Sequence, residues 1–480
     1  MALDIGNIIG SVREAAARVV EQVRQPPPPM GPEQIAARAN AATADPQQRE
    51  LLVAGYTRAQ EQGDGALWRQ TDGLATLYRD REVLALSRAI APGDTVPDGW
   101  TRATPAQLAQ YGIRDADLRP TGDDSGFRAE LFIPDPEVYG ADARPVLQFE
   151  GTNFGDLADV NADVAQAMGN EEAFYNQALD IATRVNQASG GNVIFSGHSL
   201  GGGLATAAGL VTGADTIVSN PAGVHPDTVA EALADRGLAF EDADGNVTTY
   251  AVDGDVLTEL QDATAGLNTQ NADSLAAILN GLGHGLNAWQ DDVRFPTDVT
   301  GTQVRELPDA VGDVVTLDAR NEDGSGRERV IALDDIVEDI NGRVESMPLS
   351  DFGELVDGGT NWVDGATGLV RDVANTAGDG LGWLSDRLPD GGLLGGLGDV
   401  VSGGGDAVGT VGDWVEAGGD FTRDALEGVE TVASVAVSAA DGEVRDSMLE
   451  MVERHSFGVF DDSLGAEIGD REQALRDRIG

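Results

Sequence analysis

A serine with a glycine two residues before it and another two residues after it is the strongest chemical signal in this sequence. Ser199 lies in the segment Gly197-His198-Ser199-Leu200-Gly201, between a predicted strand at 192–195 and an alanine-rich predicted helix at 204–210. A strand, a sharp turn and a helix in this order form a nucleophile elbow. The turn is so tight that only small residues fit two positions before and two positions after the serine. The helix N-terminus would direct amide groups at developing negative charge. The pattern predicts a serine nucleophile for acyl transfer; the alternative is a glycine-rich turn without chemistry.

A serine hydroxyl needs a base to take its proton and a carboxylate to orient that base. The sequence has four histidines: His198, His225, His284 and His455. His198 is next to the serine, so we expect its side chain to point away. His225 comes too early if the chain order is serine, acid, base. His284 and His455 remain as candidate bases.

The candidate acid follows a predicted strand at 248–252. Asp255 lies in the turn after this strand, and Asp253 is its rival. Residues two apart on a strand share a face, so both carboxylates could point the same way. The position of Asp255 in the turn favours it, although a solvated acidic turn is the alternative for either residue.

Three segments together resemble the class 3 lipase family: Phe149-Glu150-Gly151-Thr152, Asp156-Leu157-Ala158-Asp159 and the glycine-rich segment 197–203. Three more segments resemble its bacterial phospholipase A1 branch, some members of which are toxic secretion-system effectors: 124–127, 220–223 and 454–457. The similarity covers about residues 100–320 and roughly the last 35.

This resemblance implies an α/β-hydrolase fold and a catalytic triad. Its motifs assign Ser199 as the nucleophile, Asp255 as the acid and His455 as the base. His284 is the alternative base, at a shorter sequence distance from the acid but between glycines. The implied activity is serine-dependent hydrolysis of lipid esters by a lipase or phospholipase A1 through an acyl-enzyme.

The resemblance also implies an oxyanion hole. Its donors would be the backbone amides of Thr152 and Leu200. One departure from the family is Glu150, where the family usually has arginine.

Strands and helices must position these residues, and the sequence predicts them where short apolar runs alternate with helical stretches. From about residue 95, short apolar runs alternate with helical stretches, which predicts an α/β fold with a mostly parallel sheet covered on both faces. The predicted strands are 127–133, 146–149, 193–195, 216–218 and 248–252, with a hairpin at 314–333. The predicted helices of the core are 155–169, 171–188 and 200–212.

The chain divides into six predicted segments. These are an amphipathic helical arm at 1–25, a proline-rich linker at 26–34, a helical N-terminal region at 35–94, an α/β-hydrolase core at 95–330, a glycine-rich, largely helical insertion at 331–442, and a C-terminal part of the core at 443–480. The insertion is interpreted as a lid or membrane-interacting segment, or as a flexible cover of the core. The last segment is predicted as a helix at 443–455 and a polar tail.

Composition restricts the classes of partner. The 480 residues include 82 acidic and 31 basic side chains, a net charge of −51, and neither lysine nor cysteine. Nucleic acid is excluded as a partner because phosphate binding needs a basic face. Disulfides and a cysteine nucleophile are excluded as well. The acidity and missing lysine fit a GC-rich genome, adaptation to high salt, or delivery into another cell.

The remaining predictions concern location, cofactors and alternatives. The first 24 residues lack a secretory signal, which predicts export by a leaderless route, with a cytoplasmic location still open. No cofactor or metal is predicted, and Asp242, Asp244 and Asn246 are interpreted as a hairpin turn more than a calcium loop. The expected partners are a lipid or phospholipid substrate and a membrane surface, with any inhibitory or immunity protein unknown. The alternative functions are a membrane-acting or partner-binding toxin on a hydrolase scaffold, or an esterase of soluble substrates.

Overall fold

The structure of this chain is a computed structural model. The structure describes residues 29–120, 127–151, 172–240, 246–264, 272, 275–276, 300–305, 307–333, 335–336 and 442–480. The predicted arm at 1–25, the helix at 155–169 and most of the insertion lie outside these residues. None of the helices in the described ranges is long and apolar enough to cross a membrane.

A seven-stranded sheet forms the centre of the fold, with its strands in sequence order. The strands are β1 Trp100–Arg102, β2 Ala129–Pro134, β3 Val146–Phe149, β4 Ile194–His198, β5 Asp215–Ser219, β6 Val247–Val252 and β7 Asp313–Leu317. The pairs β1–β2 and β2–β3 are antiparallel, and the pairs from β3 to β7 are parallel. The predicted mixed α/β fold with a mostly parallel sheet is therefore confirmed.

Thirteen α-helices in the described residues accompany the sheet. They are α1 Pro32–Asn40, α2 Pro46–Gln62, α3 Gly65–Ala85, α4 Pro105–Gln110, α5 Asp115–Leu118, α6 Pro136–Tyr139, α7 Glu172–Ser189, α8 Leu200–Thr212, α9 Pro226–Asp235, α10 Val256–Thr264, α11 Gly301–Arg305, α12 Gly442–His455 and α13 Phe457–Ile479. The helices predicted at 171–188, 200–212 and 443–455 correspond to α7, α8 and α12.

The predicted hairpin at 314–333 is wrong in its pairing. Residues 313–317 form β7, which pairs in parallel with β6, and the turn that follows has one antiparallel bridge between Arg320 and Gly326. An isolated two-stranded hairpin is marginal in water, whereas the edge of an existing sheet offers a full set of backbone partners. Joining the sheet also buries Leu317.

Alternate residues of the strands supply two apolar layers, because successive side chains point to opposite faces. One face packs against the N-terminal helices and α13, through Phe132, Val146, Ile194, Ile217, Tyr250, Val252 and Leu317. The other face packs against α7 and α8, through Leu131, Leu147, Phe149, Phe195 and Val218. The sheet is thus covered on both sides, and nearly every residue of its central strands β3, β4 and β5 is buried.

The predicted polar tail is wrong, because the last segment is the 23-residue helix α13. Its buried residues recur at helical spacing: Val459, Phe460, Leu464, Ile468 and Leu475. Charged residues between these positions lower the average hydropathy of the segment and obscure the apolar stripe. Such a stripe on a helix is buried against a core, and here it packs on the sheet and the N-terminal helices.

The N-terminal helices hold α13 through polar contacts as well. Tyr78 donates a hydrogen bond from its hydroxyl to Glu472 at 2.7 Å. Arg81 pairs with Asp461 at 2.8 Å. Helix α13 follows His455 directly, so the region predicted at 35–94 supports the segment that carries this histidine.

Candidate active site

The turn around Ser199 has the backbone of a nucleophile elbow. Ser199 lies between β4 and α8, with φ 57° and ψ −128°, and its side chain is 2% exposed. A positive φ is rare for a residue with a side chain and is typical of strained functional turns. A Cβ on Gly197 would collide with the backbone of Gly201, and a Cβ on Gly201 would collide with the carbonyl of Phe149. The glycines are therefore required by close backbone approach.

The loop after β3 lies against this elbow. A Cβ on Gly151 would collide with the carbonyl of His198, so the two backbones are in direct contact. The next residue, Thr152, lies outside the described residues, and its predicted role in an oxyanion hole stays a prediction. Leu200 is the first residue of α8, where helix geometry leaves amide groups without an intrahelical acceptor.

Three distant residues meet at the end of the sheet. The Nε2 atom of His455 lies 2.9 Å from Oγ of Ser199. The Nδ1 atom of the same ring lies 2.6 Å from Oδ2 of Asp255. The three residues are buried, at 2%, 1% and 0% exposure for serine, histidine and aspartate. The structure thus brings together the nucleophile, base and acid named from sequence, in the order of hydrogen bonds that a triad requires.

Asp255 divides its two carboxylate oxygens between two tasks. Oδ1 accepts hydrogen bonds from the amides of Leu257 at 3.1 Å and Thr258 at 3.0 Å, which makes Asp255 the N-cap of α10. Oδ2 faces His455. The cap fixes the carboxylate at the end of β6 and leaves one oxygen to orient the imidazole. The rival carboxylate, Asp253, is exposed.

The expectation that His198 points away from Ser199 is consistent with its contact to Ser219 on β5, and the ring also packs beside His455. The ring centroids of His198 and His455 lie 5.2 Å apart, and Nδ1 of His198 is 3.1 Å from Oγ of Ser219. Burial, and then the charge that His455 can carry, lower the pKa of His198 to about 3. The ring turns from the serine on its own turn but packs beside the candidate base, in its neutral form.

Of the other two histidines, the structure describes His225, which lies at an exposed helix cap. His225 is the N-cap of α9, where its Nδ1 accepts from the amide of Asp227 at 3.2 Å, and its side chain is 44% exposed. His284, the alternative base, lies outside the described residues. A histidine at an exposed cap cannot relay a proton to a buried serine.

A carboxylate beside the oxyanion loop departs from the family pattern. Glu150 pairs with Arg128 at 3.5 Å, and its side chain is 13% exposed. Burial raises the pKa of Glu150 against the opposing effect of Arg128. The carboxylate at position 150 therefore has an ionic partner on the neighbouring strand segment.

The helix that ends at His455 is held by a network of arginines and glutamates that sequence reasoning missed. Arg327 donates to both carboxylate oxygens of Glu450, at 2.6 and 3.0 Å. Arg454 also donates to Glu450, at 3.1 Å. Burial raises the pKa of Glu450, but these hydrogen bonds outweigh it and hold the pKa below its usual value.

We expect this network to make the free energy of unfolding depend on pH. Because the pKa of Glu450 is lower in the folded than in the unfolded chain, its contribution is present above the unfolded value and is lost as pH falls through the folded value. Glu450→Gln should lower the free energy of unfolding at pH 7 by about 2 kcal/mol. The difference from wild type should shrink below roughly pH 4, as measured by denaturant unfolding across pH.

The matched control is Glu467→Gln, which breaks the exposed pair between Glu467 and Arg471 in one helix. Exposed pairs contribute less than about 1 kcal/mol. A difference between Glu450→Gln and wild type that stays constant down to pH 3 would contradict the assignment.

Metal ligands are a separate question. Among the described residues, no group of three or more histidine, aspartate or glutamate side chains converges in a way that could hold a metal ion. Of the turn considered for calcium, Asp242 and Asp244 lie outside those residues.

Comparisons with known proteins show two similarities. A family model described as Phospholipase-like, the Tle-like phospholipase domain, matches residues 75–304. The extracellular phospholipase A1 of Serratia liquefaciens is 30% identical over 287 residues, which are 60% of this chain and 80% of that protein. Membership of the class 3 lipases stays a prediction. The chain belongs to the phospholipase family that these comparisons share, a family of lipid-hydrolysing enzymes.

Proposed function

We propose that this chain is a serine-dependent phospholipase A1, which cleaves the sn-1 ester of glycerophospholipids through an acyl-enzyme. The observation that carries the proposal is the hydrogen-bonded sequence from Ser199 through His455 to Asp255, buried at the end of the sheet. The choice of substrate is supported by the similarity to an extracellular phospholipase A1.

In the proposed first step, Oγ of Ser199 attacks the ester carbonyl while Nε2 of His455 takes the hydroxyl proton. Asp255 holds the ring by Nδ1 and stabilises the imidazolium that forms. His455 is also the last residue of α12, and the negative end of a helix dipole favours a positive charge there. The ester carbonyl becomes a tetrahedral oxyanion.

The oxyanion would accept a hydrogen bond from the amide of Leu200, and from that of Thr152 if the predicted hole forms. Each such donor is worth about 2.7–4 kcal/mol of transition-state stabilisation. His455 then returns its proton to the departing glycerol oxygen, which leaves as a lysophospholipid. Water, deprotonated by the same imidazole, attacks the acyl-enzyme and releases the fatty acid and the serine.

The remaining parts of the proposal concern the setting. We propose action outside the producing cell, in line with the printed description of the relative. The lid function of the insertion and the toxin alternative stay predictions, because the arm and most of the insertion lie outside the described residues. An effector role, adaptation to high salt and the soluble-ester alternative stay predictions as well.

The test is product analysis with a phospholipid that carries different acyl chains. We expect vesicles of 1-palmitoyl-2-oleoyl phosphatidylcholine to yield palmitate and 2-oleoyl lysophospholipid, identified by mass spectrometry at early times. Release mainly of oleate would contradict sn-1 cleavage. Turnover of short soluble esters alone, with none of phospholipid, would favour the esterase alternative.

A further inference from the structure

The candidate base reaches the site from a remote part of the chain. His455 is 200 residues from Asp255 and 256 from Ser199, and it belongs to a helix and not to a strand of the sheet. A catalytic constellation must be held to within about 0.5 Å, and it depends on neighbouring groups whose own positions are fixed. The residues that dock this histidine therefore decide whether the three groups meet.

Arg454 is the first of these docking residues. It precedes His455, and it is 3% exposed. Its Nη1 donates to the carbonyl of Asp253 at 2.6 Å, and its Nη2 donates to the carbonyl of Glu328. The guanidinium thus ties the residue before the base to the turn that carries the acid. Its rigid fork of donors can reach both carbonyls and Glu450 at once, which a single ammonium group cannot do.

The turn is shaped to admit this guanidinium. Gly254 has φ +72°, and a Cβ there would lie 2.5 Å from Nη1 of Arg454 and 2.5 Å from a methyl carbon of Val330. Glycine meets both demands, since it tolerates a positive φ and leaves the space open. The Gly-Asp pair at 254–255 thus supplies the room for the arginine and the carboxylate for the histidine.

Asn220 is the second docking residue. It is fully buried and has a φ of 39°, and Ser199 is the other non-glycine residue with positive φ among those described. Its Oδ1 accepts from the amide of Val252 at 2.9 Å, and its Nδ2 donates to the carbonyl of Arg454 at 3.3 Å. Asparagine tolerates this backbone region, where a residue is held only when its surroundings fix it.

We infer that Arg454 and Asn220 are positioning residues that form a latch between the acid and the base. The latch joins the residue before His455 to two positions, Asp253 and Val252, within three residues of Asp255. One contact is made by the carbonyl of Arg454 and the other by its guanidinium, so both the backbone and the side chain next to His455 are fixed relative to Asp255. This inference rests on the proposed function, because it assigns a role to residues around the same triad.

The latch predicts a loss in turnover without a loss in substrate binding. A misplacement of about 1 Å costs about 10²-fold in rate, so Arg454→Ala should lower kcat by about 10² and change KM by less than about twofold. Arg454→Lys, which keeps the charge but not the fork, should fall between Arg454→Ala and wild type. Asn220→Asp keeps the acceptor for Val252 and loses the donor to Arg454, so kcat should fall by about tenfold.

A spectroscopic measurement separates positioning from general destabilisation. The proton between Nδ1 of His455 and Asp255 should give a low-field proton resonance in the wild type and in Ser199→Ala. In Arg454→Ala this resonance should move upfield or disappear, while circular dichroism shows a folded protein. If Arg454→Ala does not fold, Arg454→Lys and Asn220→Asp provide the same comparison with smaller changes.

The matched control is Arg184→Gln. Arg184, in α7, also joins a carbonyl, that of Gly112, to a carboxylate, that of Asp117, and neither of these partners belongs to the triad or to the turn that carries Asp255. We expect its kcat and low-field resonance to equal those of wild type. Folded Arg454 and Asn220 variants with wild-type kcat and resonance would overturn the latch while leaving the triad intact. Turnover retained in Ser199→Ala would instead overturn the proposed function.

Discussion

Ser199→Ala should lower phospholipid hydrolysis by about 10⁶-fold while leaving the protein folded. The substitution removes the atom that forms the acyl-enzyme, and His455 then has no hydroxyl to activate. The free energy of unfolding should change by less than about 1 kcal/mol, because alanine occupies the same small site. Initial rates on phosphatidylcholine vesicles and denaturant unfolding would measure the two effects.

Ser196→Ala is a matched control for this prediction. Ser196 lies in β4, three residues before Ser199, and is also buried, but its hydroxyl has no hydrogen-bond partner within the described parts of the chain. Replacing a buried hydroxyl that has no partner should not reduce stability, and it should leave the rate unchanged. Hydrolysis at more than a few per cent of wild type in Ser199→Ala would exclude this serine as the nucleophile.

Asp255→Asn should lower kcat by about 10⁴-fold, with KM nearly constant. An amide nitrogen facing Nδ1 of His455 favours the wrong tautomer, and it cannot stabilise the imidazolium. Asparagine caps helices as well as aspartate does, so α10 should keep its N-cap and the protein should keep its stability. Steady-state kinetics and thermal unfolding would show activity and stability separated.

The matched control changes an equivalent cap elsewhere. Asp45 is the N-cap of α2 and accepts from the amides of Gln47 and Gln48, as Asp255 accepts from its own helix. Asp45→Asn should leave both kcat and stability close to wild type. An Asp255→Asn variant with kcat within tenfold of wild type would show that this carboxylate does not orient the base.

The elbow could be predicted from sequence because all its determinants are local. Two glycines, a serine, an apolar run and an alanine-rich run lie within 20 residues, and each has a short-range physical reason. The same holds for β3, whose four buried residues include three large apolar side chains, Val146, Leu147 and Phe149. Local patterns specify local geometry, so these elements match the prediction closely.

The triad partners depend on long-range packing, which composition and spacing do not report. Spacing alone left His284 and His455 open, and a family resemblance was needed to favour one. Asp255 was favoured over Asp253 by its place in the turn, and the helix cap at Leu257 and Thr258 gives the physical reason.

Two further features were missed for different reasons. The apolar stripe of α13 was missed because the average hydropathy of the segment conceals it. Counting apolar positions at helical spacing would have found it. The segments that begin with Asn220 and Arg454 were noted for their family resemblance, but the roles of these two side chains were missed, since they bind backbone groups that any residue type can provide. Backbone contacts of this kind become visible when the segments are placed together.

The large sequence separation between serine and histidine has a consequence for the cell that makes this enzyme. At about 5–20 residues per second, the ribosome adds the imidazole roughly 13–50 s after the hydroxyl. Under the proposed mechanism, the nascent polypeptide carries the nucleophile without its proton acceptor throughout that interval. A product of interrupted translation that ends before position 455 would be unable to attack the membranes of its own producer.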